Sequence, residues 1–277
     1  MKKAPCDPQV GADIEVFLYD KEKRHVIPCV GVINGTKDKP FKPEGYVDGF
    51  ALQEDNVMLE YNIPPARTEG TWYKRFQVAK QMMRKHLPAG YSWRTYPEHK
   101  FRPKDLISPQ AKVIGCEPDF DAYEGGEIRS FCDTLGLERS CGGHIHLGGN
   151  FNCPDFIAAL FADLCIGVFA GTGPDQANSR TAWYGKPGIF RPKPYGVEYR
   201  TPDNRWTKNS DKVQYVGMCS LSLATWLTMH EAAVIRGVFK AINWSRVRDY
   251  LSPACENKQQ LYKQISVEAQ EAGVPIG

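Results

Sequence analysis

An alternating segment bounded by glycine pairs, residues 142–149 with the sequence GGHIHLGG, is the feature that most constrains the fold. Its period of two predicts a short strand that places His144 and His146 on one face and Ile145 and Leu147 on the other. Two imidazoles would then face one cavity. Histidines on a strand are typical both of metal sites and of hydrogen-bonded cores, so the pattern by itself leaves these two roles open.

Charged residues recur at the same two-residue spacing on two other candidate strands. They are Asp13 with Glu15, and Glu198 with Arg200. An exposed carboxylate such as Asp13 is also typical of a solvated strand, and Glu198 with Arg200 would equally form a same-face salt bridge. Glu60 is harder to explain in that way, because an acid in an otherwise apolar strand needs a partner.

The pattern of apolar residues predicts strands interleaved with helices. Strands are expected at residues 11–19 and 26–33 as a hairpin, at 47–63 in two parts broken at 54–56, and at 93–96, 113–116 and 195–201. Helices are expected from a cap at Thr68 or Thr71 to about residue 86, from Pro154 to about 169, and from about 213 to 239. Antiparallel strands and helices in this order predict an α+β fold, with helices on one sheet face and a cavity on the other.

Composition limits the class of protein. A chain of 277 residues can bury a full core and is interpreted as a single domain, with sheet motifs at about 10–205 and a helical part at about 208–277. A net charge of +3, evenly spread, gives no indication of nucleic acid binding, and no run of about eighteen apolar residues predicts a membrane span. We therefore expect a soluble, cytoplasmic protein. Its nine cysteines are odd in number and lack a CxxC pair, so reduced thiols such as Cys165 and Cys219 are expected.

Two loops contain further candidate residues. The segment 171–194 is long for a connection inside a compact domain, which predicts a ligand-covering loop, and its candidate residues are Arg180, Tyr184, Lys186 and Arg191. Clustered cations opposite a metal site would suit a triphosphate, although they could equally solvate the loop. A second loop is rich in acids, which are interpreted as loop residues with a substrate role as the alternative: Glu117, Asp119 and Asp121.

Five motifs in order give the chain a family resemblance. They are residues 11–15 (GADIE), 53–56 (QEDN) with 59–65 (LEYNIPP), 115–119 (GCEPD), 142–146 (GGHIH) and 197–202 (VEYRTP). Over about residues 10–205 the sequence resembles the phage-type carboxylate-amine ligases, within the superfamily of glutamine synthetase and glutamate-cysteine ligase. The resemblance implies the curved, mainly antiparallel sheet of the glutamine synthetase catalytic domain.

The resemblance also implies an activity. Relatives use ATP to phosphorylate a carboxylate, and an amine then displaces the phosphate to form an amide. Hard cations such as Mg²⁺ or Mn²⁺ accept carboxylate oxygens and the occasional imidazole, which agrees with the excess of acids over histidines. Small-molecule or peptide carboxylates and amines are the expected substrates, without nucleic acid or membrane partners. A phage-encoded protein would act in the host cytoplasm, and the oligomeric state stays open.

Site residues are carried over from the family motif by motif. The metal ligands so implied are Asp13, Glu15, Glu54, Glu60, either His144 or His146, and Glu198. Many relatives have a glutamate at the position that Asp13 occupies here. Arg200 matches the arginine that contacts the transferred phosphoryl group, where its planar fork suits the oxygens, and Glu60 is the second candidate catalytic residue. Nucleotide binding is assigned to Arg200 together with three cations of the loop: Arg180, Lys186 and Arg191.

Two other functions remain compatible with the sequence. In one, His144, His146 and a carboxylate bind Zn²⁺ and activate water for hydrolysis. The additional acids and Arg200 would then have no role. In the other, a binding or virion protein has kept the ligase scaffold without catalysis. Against that stands the repulsion within a site crowded with carboxylates and lacking a cation.

Overall fold

The protein is described by a computed structural model that covers residues 6–112, 118–128, 136–173 and 184–276. Twelve strands occur in these ranges: β1 Gln9–Asp20, β2 His25–Ile27, β3 Ala51–Asp55, β4 Met58–Ala66, β5 Tyr91–Arg94, β6 Glu98–Lys100, β7 Asp119–Asp121, β8 Glu127–Ile128, β9 Glu138–Ser140, β10 Gly143–Gly148, β11 Ile189–Lys193 and β12 Gly196–Tyr199. Most of them join one sheet in the order β3-β4-β1-β10-β12-β11-β7-β8, with β2 and β5 also paired to β1. Each of these pairings is antiparallel.

Helices cover one face of the sheet. They are α1 Glu69–His86, the single turn α2 Pro109–Lys112, α3 Asp155–Ala162, α4 Ser210–Met229, α5 Ala232–Ala241, α6 Trp244–Leu251 and α7 Lys258–Ala272. A π-helical segment, Asp163–Phe169, continues α3. The helices α1, α3 and α4 contact β4, β12 and β1 respectively. The predicted α+β class with a mainly antiparallel sheet is confirmed.

The alternation of side chains along β1 determines which face is packed. Ile14 and Val16 are fully buried in the core that α1 and α4 complete, whereas Asp13 and Glu15 lie on the other face. The same rule places Tyr61 in the core and Glu60 opposite it. On these strands the apolar side chains of one face must be buried in the core. Because a shift of one residue would expose them, their burial determines the register and so the residues of the polar face.

Helix α1 shows how the packed face is held. Thr68 is its N-cap and accepts a hydrogen bond from the Thr71 backbone, which decides between the two predicted caps. Trp72 donates through its indole to the Val213 carbonyl at 2.9 Å. A Cβ at Gly217 would lie 2.1 Å from the Trp72 ring, so only glycine allows α4 to pack this closely against α1.

Several predicted boundaries were wrong. The hairpin partner of β1 is only three residues long, and the break in the 47–63 segment lies at Asn56 and Val57 rather than at 54–56. Asn56 has a positive φ of 54°, which is the conformation that a tight turn requires and that asparagine tolerates. Glu54 and Asp55 consequently belong to β3 and are not turn residues.

The C-terminal half also differs from its prediction. The segment 171–194 is not loop throughout, because β11 pairs with β12 and β7 and contains Arg191. The long helix predicted at 213–239 is two helices, α4 and α5, which are separated at His230 and Glu231. His230 has extended backbone angles and ends α4. The strand predicted at 113–116 lies outside the described residues.

Two global expectations can be compared with the described residues. None of the helices seen there has both the length and the apolar character needed to cross a membrane. The described cysteines, including the buried Cys165 and Cys219, are free thiols. Burial raises the pKa of the Cys165 thiol, as expected for a structural cysteine.

Candidate active site

Four neighbouring strands bring the predicted residues onto one face of the sheet. Glu15 on β1 lies opposite Glu60 on β4, Asp13 lies opposite His144 on β10, and His146 lies opposite Glu198 on β12. Because side chains directly across a pair of strands point to the same side, the sheet collects residues that are far apart in the sequence. The predicted polar face is thus present, and it has an acidic half and a basic half.

The acidic half is built from Glu15, Asp55 and Glu60. One carboxylate oxygen of each lies within 4.8 Å of those of the other two, and Glu15 and Glu60 are buried. Gln53 and Asn62 donate amide hydrogens to Glu60 Oε1 at 2.8 and 3.3 Å. Burial, followed by the charges of nearby carboxylates, raises the pKa of Glu60 well above its usual range. These three acids form the candidate metal site of the described residues.

Glu54 is not brought into this cluster. In the pairing of β3 with β4 it lies opposite Leu59, so it faces the other side of the sheet from Glu60. Its carboxylate accepts hydrogen bonds from the backbone of Val32 and Ile33 at 3.1 and 3.3 Å. The Glu54 carboxylate therefore holds the loop that contains Val32 and Ile33. Its neighbour Asp55 is the acid of β3 that lies near Glu60.

The two histidines have different partners. His146 Nε2 lies 2.8 Å from Asp13 Oδ2, and its Nδ1 contacts the Tyr195 hydroxyl. Burial would lower the pKa of His146, but the charge of Asp13 and the hydrogen bond to it raise the pKa above the usual value. His144 Nε2 instead lies 3.0 Å from the Tyr184 hydroxyl. In the described ranges no group of three metal-ligating side chains includes a histidine.

The basic half surrounds Glu198. Its carboxylate contacts the Arg200 guanidinium, lies 3.1 Å from Lys193 Nζ, and lies 3.7 Å from Arg191 Nη1. Burial would raise the pKa of Glu198, yet Arg200 and then His146 hold it well below the usual range. Glu198 is thus ionised at neutral pH and is already paired with cations. It lies near the predicted metal ligands without forming part of the three-carboxylate cluster.

Arg200 is the most heavily contacted cation of this half. Besides Glu198, its Nε lies 3.0 Å from Asp119 Oδ1 and its Nη1 lies 3.2 Å from His144 Nδ1. Its Nη2 donates to the Tyr184 hydroxyl at 2.5 Å. The side chain is only 5% exposed, so the guanidinium is held in one orientation by contacts on three sides.

The other predicted cations and loop acids do not all reach the site. Arg191 donates to Asp119 at 2.8 Å, which places both residues in the basic half. Lys186 is exposed, and its backbone carbonyl accepts a hydrogen bond from Thr201. The Asp121 carboxylate accepts hydrogen bonds from the backbone N–H groups of Tyr123 and Glu124, in the turn that follows it. Arg180 and Glu117 lie outside the described residues.

Both histidines, Glu198 and the cations around it fall within a region that matches a known family, whereas Asp119 lies before that region. Residues 135–246 match the phage phiEco32-like COOH-NH2 ligases, type 2. The resemblance to phage-type carboxylate-amine ligases is confirmed for this region, which contains His144, His146, Glu198 and Arg200. The acidic strands β1, β3 and β4 lie before it.

The chain was also compared with solved structures and with curated proteins. The bifunctional glutathione synthetase from Pasteurella multocida aligns with 96% of this chain and 45% of its own length, with 10% sequence identity and a TM-score of 0.44. The chain therefore spans less than half the length of that enzyme. No curated protein matches it.

A cleft of about 360 Å³ opens on the polar face beside His146. Its walls are mainly apolar and include Ala51, Pro64 and Pro65, and Asp13 is one of its polar lining residues. The size and the apolar walls are those of a site for a small organic group.

Sequence reasoning missed three residues of this site. The break predicted at 54–56 makes Asp55 a turn residue, whereas the pairing of β3 with β4 puts it opposite Met58 and on the same sheet face as Glu60. The sequence predicts Asp119 to be a loop acid, with a substrate role as the alternative, and gives no sign of its pairing with Arg191 and Arg200, which spans more than 70 residues of sequence. The period of two on β11 could have revealed Lys193 beside Arg191, had that strand been recognised.

Proposed function

We propose that the protein is an ATP-dependent carboxylate-amine ligase that forms an amide through an acyl phosphate. The observation that carries this proposal is a cluster of three carboxylates, Glu15, Asp55 and Glu60, on the same sheet face as a buried set of cations around Glu198. Phosphoryl transfer needs a cation site and a separate set of groups for phosphate oxygens. The match of residues 135–246 to a COOH-NH2 ligase family supports the same reading.

The acidic half suits a hard divalent ion. Its donors are carboxylate oxygens, which Mg²⁺ and Mn²⁺ prefer, and burial together with the neighbouring negative charges raises the pKa of Glu60. Glu15, Asp55 and Glu60 would hold the ion, and Asp13 with His146 could hold a second one. When bound, the ions would neutralise charge on phosphate oxygens.

The basic half suits the phosphoryl group. Arg191, Lys193 and Arg200 are three cations against two acids, Glu198 and Asp119, so an excess of positive charge faces the site. In the proposed reaction a substrate carboxylate oxygen attacks the γ-phosphorus and ADP leaves. Arg200 binds the oxygens of the phosphoryl group during transfer, because its planar fork can contact two of them.

The second step forms the amide. The amine nitrogen attacks the carbonyl carbon of the acyl phosphate, phosphate leaves, and the nitrogen loses a proton. Burial of Arg200 and Glu198 keeps water from the place where the acyl phosphate would form. We place the nucleotide base in the cleft lined by Ala51 and Pro64, since its apolar walls suit a flat ring.

The proposal extends to the whole chain. We infer a glutamine synthetase-like sheet in a single domain of residues 1–277. The substrates would be a small-molecule or peptide carboxylate and an amine, and the enzyme would act in the cytoplasm. The five sequence motifs, in the order of the family, support this extension.

Thermal unfolding tests the proposal directly. Wild type is heated with Mn²⁺ or Mg²⁺ and ATP, with Zn²⁺ alone, and with neither. Glu60→Ala is compared with Glu69→Ala, which removes an exposed carboxylate from α1. Ligand at about a hundred times its dissociation constant adds about 2.7 kcal/mol to the free energy of unfolding.

Stabilisation by metal and ATP that is lost in Glu60→Ala and kept in Glu69→Ala is the expected result. Stabilisation by Zn²⁺ alone would favour the hydrolase, and no response to any of these ligands would favour a protein without catalysis. A second assay adds hydroxylamine, ATP and a panel of amino acid and peptide carboxylates. An acyl phosphate would be trapped as a hydroxamate, which identifies the carboxylate substrate.

A further inference from the structure

A carboxyl group lies buried behind the basic half of the site, on the packed face of the sheet. Asp163 begins the π-helical segment, and none of its surface is exposed. π-Helical turns are rare and are often found at functional positions. A buried carboxyl group is unfavourable unless donors surround it, so its partners indicate why an acid occupies this position.

The partners of Asp163 lie on either side of Arg200 in the sequence. The Tyr199 hydroxyl donates to Asp163 Oδ1 at 2.6 Å, and the Thr201 hydroxyl lies 3.3 Å from the same oxygen. Tyr199 is the last residue of β12 and alternates with Glu198 and Arg200 across the sheet. The Asp163 carboxyl group, on the packed face, therefore binds Tyr199 and Thr201, the residues before and after Arg200. The side chain of Arg200 itself lies on the polar face.

The second oxygen of this carboxyl group is less well served. Asp163 Oδ2 and the Tyr123 hydroxyl are both buried and make no hydrogen bond with the residues that the structure describes. Burial raises the pKa of Asp163 to about 7, despite the hydrogen bond from Tyr199. The hydrogen bonds of Asp163 therefore connect the π-helical segment with β12 and with Thr201, which follows that strand.

We infer that Asp163 is a positioning residue for Arg200, which it acts on through Tyr199 and Thr201. The contacts of Arg200 with Asp119 and Tyr184 are as short as 3.0 and 2.5 Å, so a small displacement of β12 would break them. The role of Arg200 toward a phosphoryl group rests on the proposed function. The orientation of its guanidinium does not, and it can be measured without a nucleotide.

The experiment compares Asp163→Asn and Tyr199→Phe with Tyr61→Phe as a matched control. Tyr61 is also fully buried on the packed face, but on β4, away from Arg200. For each variant three quantities are measured: the ¹⁵N signals of the Arg200 guanidinium, assigned with Arg200→Lys; the affinity for Mn²⁺ alone; and the affinity for a non-hydrolysable ATP analogue with Mg²⁺.

We expect Asp163→Asn and Tyr199→Phe to shift the Arg200 signals and to weaken analogue binding about tenfold, as loss of about one well-placed hydrogen bond would do. Mn²⁺ affinity should stay within about twofold, and Tyr61→Phe should change none of the three despite losing a buried hydroxyl. Unchanged Arg200 signals in Asp163→Asn, or equal changes in Tyr61→Phe, would overturn the inference. If wild type binds no analogue, the proposed function fails, and the guanidinium signals alone decide the role of Asp163.

Discussion

Glu15 and Glu60 lie directly opposite each other on β1 and β4, and both side chains are buried. Two carboxylates in cross-strand register repel each other, and Asp55 adds a third. Gln53 and Asn62 donate to Glu60 but carry no positive charge. The sheet therefore contains local repulsion that a bound divalent cation would remove.

The first prediction concerns this repulsion. We expect Glu60→Gln to raise the free energy of unfolding of the metal-free protein by about 1 kcal/mol at pH 8, because it removes one of the opposed charges. Under the proposed function Mn²⁺ stabilises the wild type, and the same substitution should abolish that additional stability. Chemical denaturation with and without Mn²⁺ measures both effects. A metal-free variant less stable than wild type would show that Glu60 is held by attraction and not by repulsion.

The second prediction separates two adjacent acids of β3. Asp55→Asn should weaken Mn²⁺ binding by at least about tenfold, the effect seen even for indirect partners of bound metals. Glu54→Gln should leave Mn²⁺ affinity within about twofold and cost about 1–3 kcal/mol of stability, since the Val32 and Ile33 N–H groups lose a charged acceptor. Calorimetric titration and denaturation distinguish these results. The reverse pattern would place β3 one residue out of register.

These two acids show where sequence reasoning succeeds and where it stops. The period of two correctly placed Asp13 and Glu15 on one face, because they lie on a strand whose other face is apolar. Glu60 was singled out because an acid in an apolar strand needs a partner, and the pairing of β4 with β1 puts it opposite Glu15. The same rule depends on knowing where a strand ends. Placing the turn at 54–56 made Asp55 a loop residue, and a shift of one residue exchanges the two faces of a strand.

Long-range pairs mark a second limit. Nothing adjacent in the sequence connects Asp119 with Arg200, and the contact exists because β7, β11 and β12 are neighbours in the sheet. The helix predicted from Pro154 to about residue 169 contains Asp163, and nothing in its apolar surroundings indicates a role, because its partner Tyr199 lies on a distant strand. Periodicity reveals which residues share a face, but the order of strands decides which of them meet.

The third prediction concerns the fork of Arg200. In Arg200→Lys the nucleotide should still bind, while turnover in the hydroxamate assay should fall by about 10²-fold or more, because a lysine cannot make the paired contacts to the phosphoryl oxygens. Arg191→Lys, the matched control in the same cluster, should have a smaller effect. Full turnover in Arg200→Lys would mean that this arginine only neutralises Glu198 and Asp119.

The fourth prediction concerns Glu198. Glu198→Ala leaves the buried Arg200 and the nearby Lys193 without their shared carboxylate, so the variant should lose about 3–5 kcal/mol of stability. The double variant Glu198→Ala with Arg200→Met should recover part of that loss. Denaturant unfolding of the two proteins measures the difference. Equal stability of Glu198→Ala and wild type would contradict the buried ion pairs.

The fifth prediction is a pH dependence of stability that arises from Asp163. Its pKa is about 7 in the folded protein and 3.8 in the reference state, so the folded form binds the proton more tightly. The resulting stability is fully present below about pH 4 and is lost as the pH rises through about 7, with a total of about 4 kcal/mol. In Asp163→Asn this titration is absent. The difference in free energy of unfolding, wild type minus variant, should therefore fall between pH 4 and pH 8.

Other carboxyl groups with opposite shifts, such as Glu198, titrate in both proteins and cancel in this difference. Urea denaturation at intervals of half a pH unit gives the curve, and the pH at which its decline levels off reports the pKa of Asp163 in the folded protein. A difference that is constant with pH would show that Asp163 titrates alike in the folded and unfolded protein, and that burial does not shift its pKa. A difference that rises with pH would mean that the charged form is the one that Tyr199 and Thr201 stabilise, and the carboxylate would then be ionised throughout the neutral range.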